Sequence, residues 1–330
     1  MTRTYQVAGI GNAIMDVLAH AGEDFLEMMD IEKGIMTLVD RDRAERLYAA
    51  MEDRTQVPGG SVANTMAGLG ALGLRTAFMG RVHDDALGRH YADGMAGANC
   101  DFVNPPVADG ELPTSRCMIF VSPDGERSMS TYLGISAELG PQDVPDAVAQ
   151  DTEILFLEGY LFDKDKGKEA FLRAARLCHE SGGKPGIALS DPFCVERHRE
   201  DFRVLVRDDM AFVLGNEKEW LGLYETDSLD DALAHAAQDC ETVVCTRSGA
   251  PVVVVHNGER VEVPVEAVTP VDATGAGDQF AAGFLYGLSA GRDMATCGRM
   301  GVMAAAEVIS HMGPRPEADM GARFAEAGLT

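Results

Sequence analysis

The sequence lacks the cysteine spacing of a metal site or a disulfide framework. Its seven cysteines are scattered, no two of them form a CxxC pair, and their number is odd. This usage is typical of reduced thiols in the cytosol rather than of zinc sites or disulfides. We therefore expect a cytoplasmic protein.

Long apolar runs and positive charge are also scarce. The opening residues, MTRTYQVAGIGN, enter a predicted strand without the apolar segment of a signal peptide, and no later apolar run is long enough to span a bilayer. The 53 acidic residues outnumber the 28 basic ones, which gives a net charge of −25. Because nucleic acids and anionic membranes attract positively charged surfaces, we expect neither as a partner.

Glycine is abundant instead, with 36 in 330 residues, and suits an enzyme with many tight turns. From residue 153 onward, predicted strands alternate with predicted helices. This βα alternation predicts a mostly parallel sheet with helices on both faces. The strands are expected at 153–157, 186–190, 210–214 and 242–246, and the helices near 166–181, 194–205, 218–224 and 229–239.

Two antiparallel hairpins interrupt this alternation. Segments 114–121 and 127–133 flank Pro123-Asp124-Gly125, and segments 252–255 and 261–263 flank Asn257-Gly258. The first hairpin predicts a small β-sheet that closes over a larger α/β domain. We expect the large domain to comprise about 1–11, 41–112 and 134–330, and the lid about 12–40 and 113–133.

The segment Asp272-Ala273-Thr274-Gly275-Ala276-Gly277-Asp278 precedes an apolar helical run. Its small residues leave amide N–H groups free at a helix N-terminus, which is a natural anion site. A carboxylate beside such a site suggests a base that takes a proton from an attacking hydroxyl. Alternatively, Asp278 is only a favourable first-turn acid and the glycines form only a tight turn.

A second glycine segment, Pro58-Gly59-Gly60-Ser61-Val62-Ala63-Asn64, leads into another predicted helix. Gly59 and Gly60 would let a ligand contact the backbone, and Ser61 is a suitable N-cap. Asn64 lies one turn further and either faces the ligand or is a buried structural residue. The literal GxGxxG at 68–73 closes a helix before a strand, the reverse of the order that a dinucleotide site needs.

The first predicted strand, Tyr5 to Ile10, ends in glycines and is followed by Asn12 and Asp16. Ligands of open α/β sheets bind at the carboxyl ends of strands, so these two side chains are candidates for hydrogen bonds to sugar hydroxyls. The alternative is that Asn12 makes a turn and Asp16 is a surface residue.

The two glycine segments resemble the two signatures of the ribokinase (PfkB) family of carbohydrate and nucleoside kinases. This resemblance implies a ribokinase-like, Rossmann-type α/β fold, with a mainly parallel central sheet flanked by helices and a small β-sheet lid. Within the family, three further segments are most similar to adenosine kinases: 11–16, 124–128 and Pro192-Phe193.

The resemblance also implies roles for individual residues. Asp278 would be the catalytic base, the amides of Gly275, Ala276 and Gly277 the anion hole, and Arg127 a lid arginine that reaches the transferred phosphate. The acceptor's hydroxyls would be held by Asn12, Asp16, Gly59, Gly60 and Asn64, and its apolar walls would be Ile14, Met36 and Phe193.

Further positions would serve the nucleotide and its ions. Asn216 and Glu219 resemble the NxxE motif that organises Mg²⁺ through water, and Thr246 and Gly249 would contact the phosphates of ATP. Some members hold a monovalent cation such as K⁺ near positions equivalent to Asp272, Thr274 and the loop at Gly313. Ala273 departs from the threonine often found there.

The implied reaction moves the γ-phosphate of ATP to a primary hydroxyl, with conversion of adenosine to AMP as the leading hypothesis. A sugar kinase acting on ribose, fructose or a keto-deoxy sugar is the alternative within the family. A nicotinamide oxidoreductase and a non-catalytic ligand-binding protein are alternatives of other classes. Either a monomer or a homodimer is compatible with the sequence.

Overall fold

A computed structural model describes residues 3–110 and 112–330, which fold around two β-sheets. The strands are β1 (Tyr5–Ile10), β2 (Ile14–His20), β3 (Met36–Leu38), β4 (Thr55–Gly59), β5 (Thr76–Met79), β6 (Cys100–Phe102), β7 (Ser115–Val121), β8 (Arg127–Tyr132), β9 (Thr152–Glu158), β10 (Lys184–Ala188), β11 (Phe212–Asn216), β12 (Thr242–Arg247), β13 (Ala250–His256) and β14 (Glu259–Val263).

Helices connect these strands and cover the larger sheet. They are α1 (Glu23–Met28), α2 (Arg41–Ala50), α3 (Ser61–Ala71), α4 (Ala86–Gly97), α5 (Asp146–Gln150), α6 (Asp165–Glu180), α7 (Pro192–Arg197), α8 (Arg199–Asp209), α9 (Glu217–Tyr224), α10 (Leu229–Asp239), α11 (Ala276–Ser289), α12 (Met294–Val308) and α13 (Met320–Glu326). Short 3₁₀ helices span Gly134–Glu138, Pro141–Asp143 and Gly159–Asp163. Among the helices described here, none has the length and apolar character that a membrane crossing requires.

The larger sheet has nine strands in the order β14-β13-β12-β11-β10-β9-β1-β5-β6. Neighbours from β12 to β6 are parallel, whereas β13 and β14 add an antiparallel edge. The predicted mainly parallel sheet is confirmed, and so is the second hairpin at its edge. Because parallel strands align, the carboxyl ends of β1, β9, β10, β11 and β12 all lie along one edge of the sheet.

Strand β1 shows why the central strands are apolar at successive positions. Val7 packs in a core cluster that includes Val62 of α3 and Phe280 of α11. The next residue, Ala8, belongs to a second cluster that includes Phe171 of α6. Successive side chains of a strand point to opposite faces, so a strand between two helical layers must be apolar on both. The layer of α3 and α11 carries both glycine segments.

The smaller sheet has the order β3-β8-β7-β2-β4. Strands β2, β3, β7 and β8 fall within the segments 12–40 and 113–133 expected to form the lid. Strand β4 lies outside those bounds and pairs with β2 in antiparallel register, from Ile14 opposite Gly59 to Leu18 opposite Thr55. The first glycine segment therefore begins on the smaller sheet and continues into α3 of the larger layer.

The single helix predicted near 194–205 is wrong, because the structure has two helices there. Asp191 accepts hydrogen bonds from the amides of Phe193 and Cys194, and this cap begins α7 at Pro192. The chain leaves helical geometry at His198, where φ is −123°, before α8 begins. Helical periodicity alone did not reveal this break. The interpretation of 68–73 is confirmed, since α3 ends at Ala71 before β5.

Candidate active site

The second glycine segment forms the N-terminus of α11. Gly275 is the N-cap in a left-handed conformation with φ of 78°, which favours glycine. A Cβ added at Gly277 would meet nothing within 4 Å, so the space in front of this turn is open. Within the described part of the chain, the amides of Gly277 and Asp278 have no hydrogen-bond partner. Unpaired amides at a helix N-terminus can hold an anion.

Asp278 projects from this turn toward α3. Its Oδ1 accepts a hydrogen bond from the Ser61 hydroxyl at 2.7 Å, and its Oδ2 accepts one from the Asn64 side-chain amide at 3.1 Å. The hydroxyl of Thr65 also donates to the Asp278 carbonyl at 3.0 Å. Burial raises the pKa of Asp278 to about 6, although the bonds from Ser61 and Asn64 oppose the shift. A carboxylate with this pKa is ionised at neutral pH and is more basic than an exposed one.

The first glycine segment supplies these partners. Gly60, with φ of 100°, is the N-cap of α3, so the prediction of Ser61 as the cap is wrong. Ser61 is instead the first helical residue, and its hydroxyl is free to reach Asp278. The buried Oδ1 of Asn64 has no partner among the residues described, which leaves one acceptor for an incoming hydroxyl. The structure thus brings the two glycine segments together.

A buried carboxylate that the sequence analysis missed lies beneath this junction. Glu158 ends β9 and is 1% exposed. It accepts hydrogen bonds from the amide and the side chain of Asn12 and from the amide of Val62 at the start of α3. Burial raises the pKa of Glu158 to about 7, against these hydrogen bonds. A polar residue at the carboxyl end of a central parallel strand was the available signal.

Asn12 is part of the same network. Besides contacting Glu158, its Oδ1 accepts a hydrogen bond from the Ser136 hydroxyl at 3.0 Å, and the residue is 4% exposed. Its side chain therefore joins β1, β9 and the 3₁₀ helix at 134–138. This geometry supports a scaffold role for Asn12 more than direct contact with a ligand.

A cleft of about 150 Å³ extends from Asp278 along the carboxyl ends of β11 and β12. It is lined by Asn216, Glu219, Thr246 and Gly277 among others. Gly249 lies beyond this lining, in the exposed turn between β12 and β13. Three of the four positions expected to serve the nucleotide therefore line the same cleft as the candidate base, and Gly249 does not.

Asn216 and Glu219 form a reciprocal capping box at the start of α9. Glu219 accepts hydrogen bonds from the amide and the side chain of Asn216, and Asn216 Oδ1 accepts one from the Glu219 amide. The NxxE spacing thus has a structural cause that the sequence analysis did not name. Burial raises the pKa of Glu219 to about 7.

A second cleft, of about 440 Å³, lies between the smaller sheet and the loop at 312–315. Asp16 and Arg127 line it, together with the apolar side chains of Val57, Ile119 and Val121. Burial raises the pKa of Asp16 to about 7, with Arg315 and Arg127 opposing the shift. The sequence analysis singled out Asp16 and Arg127, which both line this cleft, but did not identify Arg315.

The expected apolar walls occupy different parts of this surface. Cross-strand partners place Ile14 and Met36 on the same face of the smaller sheet as Asp16, but neither lines the cleft itself. Met36 is 49% exposed, and Ile14 packs against the cluster of Cys117, Ile119 and Val121. An apolar surface thus continues from the cleft across the sheet.

Two aromatic side chains stand at the carboxyl edge of the larger sheet. Phe193, an expected wall, is 69% exposed at the start of α7, which follows β10. Tyr160, which the sequence analysis missed, is 39% exposed and follows β9. Since β9 and β10 are parallel neighbours, both rings lie on the edge that carries the other site residues.

Arg127 reaches the second glycine segment from the smaller sheet. Its guanidinium lies 2.7 Å from Oδ2 of Asp272, with the two side chains 8% and 6% exposed. Asp272 also accepts hydrogen bonds from the amides of Thr274 at 3.0 Å and Gly313 at 2.8 Å. Arg127 is therefore next to the candidate anion site, as expected, but a carboxylate is its partner here.

Comparison with known proteins decides the family. The model of the pfkB family carbohydrate kinases matches residues 34–319. A protein from Archaeoglobus fulgidus named an uncharacterized sugar kinase is 30% identical over 255 residues, which are 75% of this chain and 96% of that protein. The chain belongs to the pfkB family of carbohydrate kinases. The nicotinamide oxidoreductase hypothesis is therefore wrong.

Two solved structures match this pfkB kinase over nearly its full length. A probable sugar kinase from Rhizobium etli is 40% identical with a TM-score of 0.90, and the match covers 99% of this chain and 100% of the other. An adenosine kinase from Sinorhizobium meliloti is 44% identical with a TM-score of 0.89, covering 98% and 99%. The ribokinase-like fold is thus confirmed, and the similar proteins include kinases of both sugars and nucleosides.

Membership of this kinase family implies ATP as the phosphate donor and Mg²⁺ as its ion. Within residues 3–110 and 112–330, no cluster of three or more His, Cys, Asp or Glu side chains could hold a metal directly. Mg²⁺ usually keeps several waters and binds phosphate oxygens, so a direct cage is not needed. The unpaired amides at Gly277 and Asp278 fit a phosphate, and Glu219 at the cleft wall fits water-mediated contact with a hydrated ion.

The contacts of Asp272 and Thr274 in this structure do not fit a monovalent cation between them. The Asp272 carboxylate already accepts two amide hydrogen bonds and pairs with Arg127. The Thr274 hydroxyl lies 3.4 Å from the same guanidinium. A second cation on these oxygens would be repelled by the guanidinium at close range.

Proposed function

We propose that this pfkB kinase transfers the γ-phosphate of ATP to the primary hydroxyl of a nucleoside, with adenosine as the expected acceptor and AMP as the product. The observation that carries the proposal is the position of Asp278, which lines the cleft along β11 and β12 and is close enough to Asp16 of the other cleft to raise its pKa. Its carboxylate is held by Ser61 and Asn64 beside the unpaired amides of α11. A base and an anion site that share one turn suit in-line phosphoryl transfer.

In this mechanism Asp278 orients the acceptor hydroxyl and takes its proton as the new P–O bond forms. General-base help of this kind contributes about 10²–10⁴ in rate. The amides of Gly275 and Gly277 receive the charge on the transferred group, and fixed donors of this type contribute roughly 10²–10³ each. The Ala276 amide, which the resemblance also implies as a donor, instead donates to the Ala273 carbonyl at 3.3 Å. Mg²⁺ would neutralise phosphate charge from the side of Glu219. An acidic protein can therefore bind ATP through local groups.

The charges of the acceptor cleft favour a neutral acceptor. Two arginines, Arg127 and Arg315, line it, which alone would suit an acidic sugar. Arg127 is paired with Asp272, and the charge of Arg315 opposes the rise in the pKa of Asp16 within the same cleft. Because a carboxylate lies near each of these two positive charges, the described residues of the cleft present little excess positive charge to a carboxylate or phosphate on the acceptor.

Apolar surface in the cleft, together with aromatic rings at the carboxyl edge of the larger sheet, supports a base on that acceptor. Ile119, Val121 and Val57 line one side, and Phe193 and Tyr160 present exposed rings at the sheet edge. A purine base stacks on an exposed aromatic ring, and each stacked base contributes roughly 1–3 kcal/mol to binding. The adenosine kinase from Sinorhizobium meliloti, 44% identical over almost all of the chain, supports the same acceptor.

A sugar kinase that uses ribose, fructose or a keto-deoxy sugar is the second candidate. It is supported by the relatives named sugar kinases in Archaeoglobus fulgidus and Rhizobium etli. The apolar walls discriminate between the two, because a free sugar would leave them exposed to water in the complex.

The test is to incubate the protein with ATP, Mg²⁺ and one acceptor at a time, and to detect the phosphorylated product by mass. The panel comprises adenosine, guanosine, cytidine, ribose, fructose and 2-keto-3-deoxygluconate. We expect AMP from adenosine, with kcat/KM at least about 10²-fold above that of any sugar. Equal or better phosphorylation of a sugar would overturn the nucleoside proposal and support the second candidate.

A further inference from the structure

Arg315 is a partly buried arginine in the wall of the acceptor cleft. Its guanidinium donates a hydrogen bond to the Pro58 carbonyl at 2.7 Å and contacts Met95 Sδ at 3.8 Å. Its Nε is buried and has no partner in the described part of the structure. Burial lowers the pKa of Arg315, but an arginine keeps its charge in proteins. A charge this buried needs a compensating partner.

The hydrogen bond to Pro58 fixes the backbone against which Asp16 packs. Tyr91 holds the next carbonyl, that of Gly59, with a hydrogen bond of 2.9 Å. A Cβ added at Gly59 would lie 2.3 Å from Oδ2 of Asp16, so the glycine backbone is in close contact with the carboxylate. Arg315 and Tyr91 together therefore set the position of the segment beside Asp16.

The charge of Arg315 acts on the same carboxylate. Asp16 lines the cleft, and no donor among the described residues forms a hydrogen bond with its side chain. Burial raises the pKa of Asp16 to about 7, and the negative charge of Asp278 adds to the rise. The positive charges of Arg315 and Arg127 oppose it, with Arg315 having the larger effect. His20 and Asp53 also line the cleft, and Tyr91 and Cys100 lie near Arg315. Arg127 is engaged with Asp272, which leaves Arg315 as the principal charge compensating Asp16.

We propose that Arg315 is a positioning residue for the acceptor, because it keeps the Asp16 carboxylate charged and in place to accept hydrogen bonds from two hydroxyls of the acceptor. The inference rests on the proposed function, in which Asp16 binds the ribose hydroxyls. Arg315 itself touches neither the hydroxyl that reacts nor the phosphate.

The test compares Arg315→Met and Arg315→Lys with Asp16→Asn as a reference. The matched control is Arg323→Met, which removes an exposed arginine on α13. Adenosine affinity is measured by calorimetry without ATP between about pH 6 and 9, alongside KM for adenosine and ATP, kcat and the melting temperature. The wild-type protein should lose affinity as the pH falls through about 7, where Asp16 takes up a proton.

For Arg315→Met we expect the midpoint of this pH dependence of adenosine affinity to move up by about one pH unit. Adenosine binding at pH 7.5 should become about tenfold weaker. The KM for ATP and kcat at saturating adenosine should change less than about threefold, because the phosphate site is separate. Arg315→Lys should keep the midpoint near that of the wild type. The Asp16→Asn variant should bind adenosine weakly at every pH in this range.

An unchanged midpoint in Arg315→Met would overturn the proposal, and so would an equal upward shift in Arg315→Lys. A fall in melting temperature with unaltered adenosine binding would assign Arg315 to stability alone. If the wild-type protein does not bind adenosine, the proposed acceptor fails first. The same titration with the sugar found in the acceptor panel then tests Arg315, since the argument needs only vicinal hydroxyls at Asp16.

Discussion

The Ser61 hydroxyl donates a 2.7 Å hydrogen bond to Oδ1 of Asp278, across 217 positions of the chain. This contact joins the first turns of α3 and α11, the two helices that follow the glycine segments. It leaves the second carboxylate oxygen to Asn64, whose own Oδ1 has no partner among the residues described. Both carboxylate oxygens of the candidate base are therefore held by α3, and an unpaired acceptor on Asn64 lies beside them.

Replacement of Asp278 by Asn should abolish turnover without loss of ATP binding. An amide cannot take the proton of the acceptor, so we expect kcat to fall by about 10³-fold or more. A coupled assay of ADP release measures kcat, and calorimetry measures ATP affinity. Retention of more than about a tenth of wild-type kcat would contradict the assignment of Asp278 as the base.

The same variant should be more stable than the wild type above neutral pH. Because the folded-state pKa of Asp278 is raised to about 6, ionising it opposes folding above that pH, and the penalty disappears as the pH falls below about 4. After allowance for partial exposure, we expect a gain of about 1–2 kcal/mol at pH 8 and little at pH 4. Denaturant unfolding at both pH values measures it, and a larger gain at pH 4 would be inconsistent with this origin.

Ser61→Ala should shift the pH dependence of turnover. The hydrogen bond from Ser61 lowers the pKa of Asp278, so its loss should move the acid limb of kcat upward by about 0.5–1 pH unit. We expect kcat at pH 7.5 to fall only severalfold. Thr65→Val is the matched control, because Thr65 bonds the Asp278 carbonyl rather than its carboxylate. An identical shift in both variants would point to a general disturbance of α3.

Glu219→Gln should raise the Mg²⁺ concentration needed for half-maximal turnover by about tenfold. The carboxylate lies at the cleft wall and would attract waters of the hydrated ion, whereas an amide has no charge to do so. Glu217→Gln is the matched control, since Glu217 belongs to the same turn of α9 but pairs with Arg247. A Mg²⁺ titration of ADP release is the measurement. Equal Mg²⁺ curves for wild type and Glu219→Gln would count against this role.

Monovalent cations should have little effect on this kinase. Arg127 supplies the positive charge at Asp272, so replacing K⁺ by tetramethylammonium at constant ionic strength should alter kcat by less than about twofold. The melting temperature should be equally insensitive to the choice of cation. A saturable, K⁺-specific rise in either quantity would show that a cation displaces Arg127 from Asp272.

Phe193→Ala should weaken binding of the acceptor more than binding of the nucleotide. Loss of a stacking ring is worth roughly 1–3 kcal/mol, so we expect KM for adenosine to rise by about tenfold or more while KM for ATP stays within about threefold. Val204→Ala, at an exposed apolar position on α8, is the control for a surface truncation. Unchanged adenosine KM would remove Phe193 from the acceptor site and weaken the nucleoside proposal.

Much of the fold follows from local pattern. The βα alternation after residue 153 predicts the parallel sheet, because successive elements of that type pack next to one another along one sheet. The turn at Pro123-Asp124-Gly125 predicts the pairing of β7 with β8, which the structure shows from Arg116 opposite Tyr132 to Val121 opposite Arg127. Local signals failed at the break between α7 and α8, where the chain leaves helical geometry at His198 without a side-chain cap.

The sequence by itself predicted the kinase family, because two short glycine segments carry the resemblance and the residues of each segment are contiguous in the chain. Tertiary structure decided which groups serve the turn at residues 275–278. Only packing of α3 on α11 brings Ser61 to Asp278, and only the placement of the smaller sheet next to the second glycine segment pairs Arg127 with Asp272. Glu158 and Arg315 form hydrogen bonds with residues that are 96 and 257 positions away in the sequence. Such contacts depend on how whole elements pack, and no local spacing encodes them.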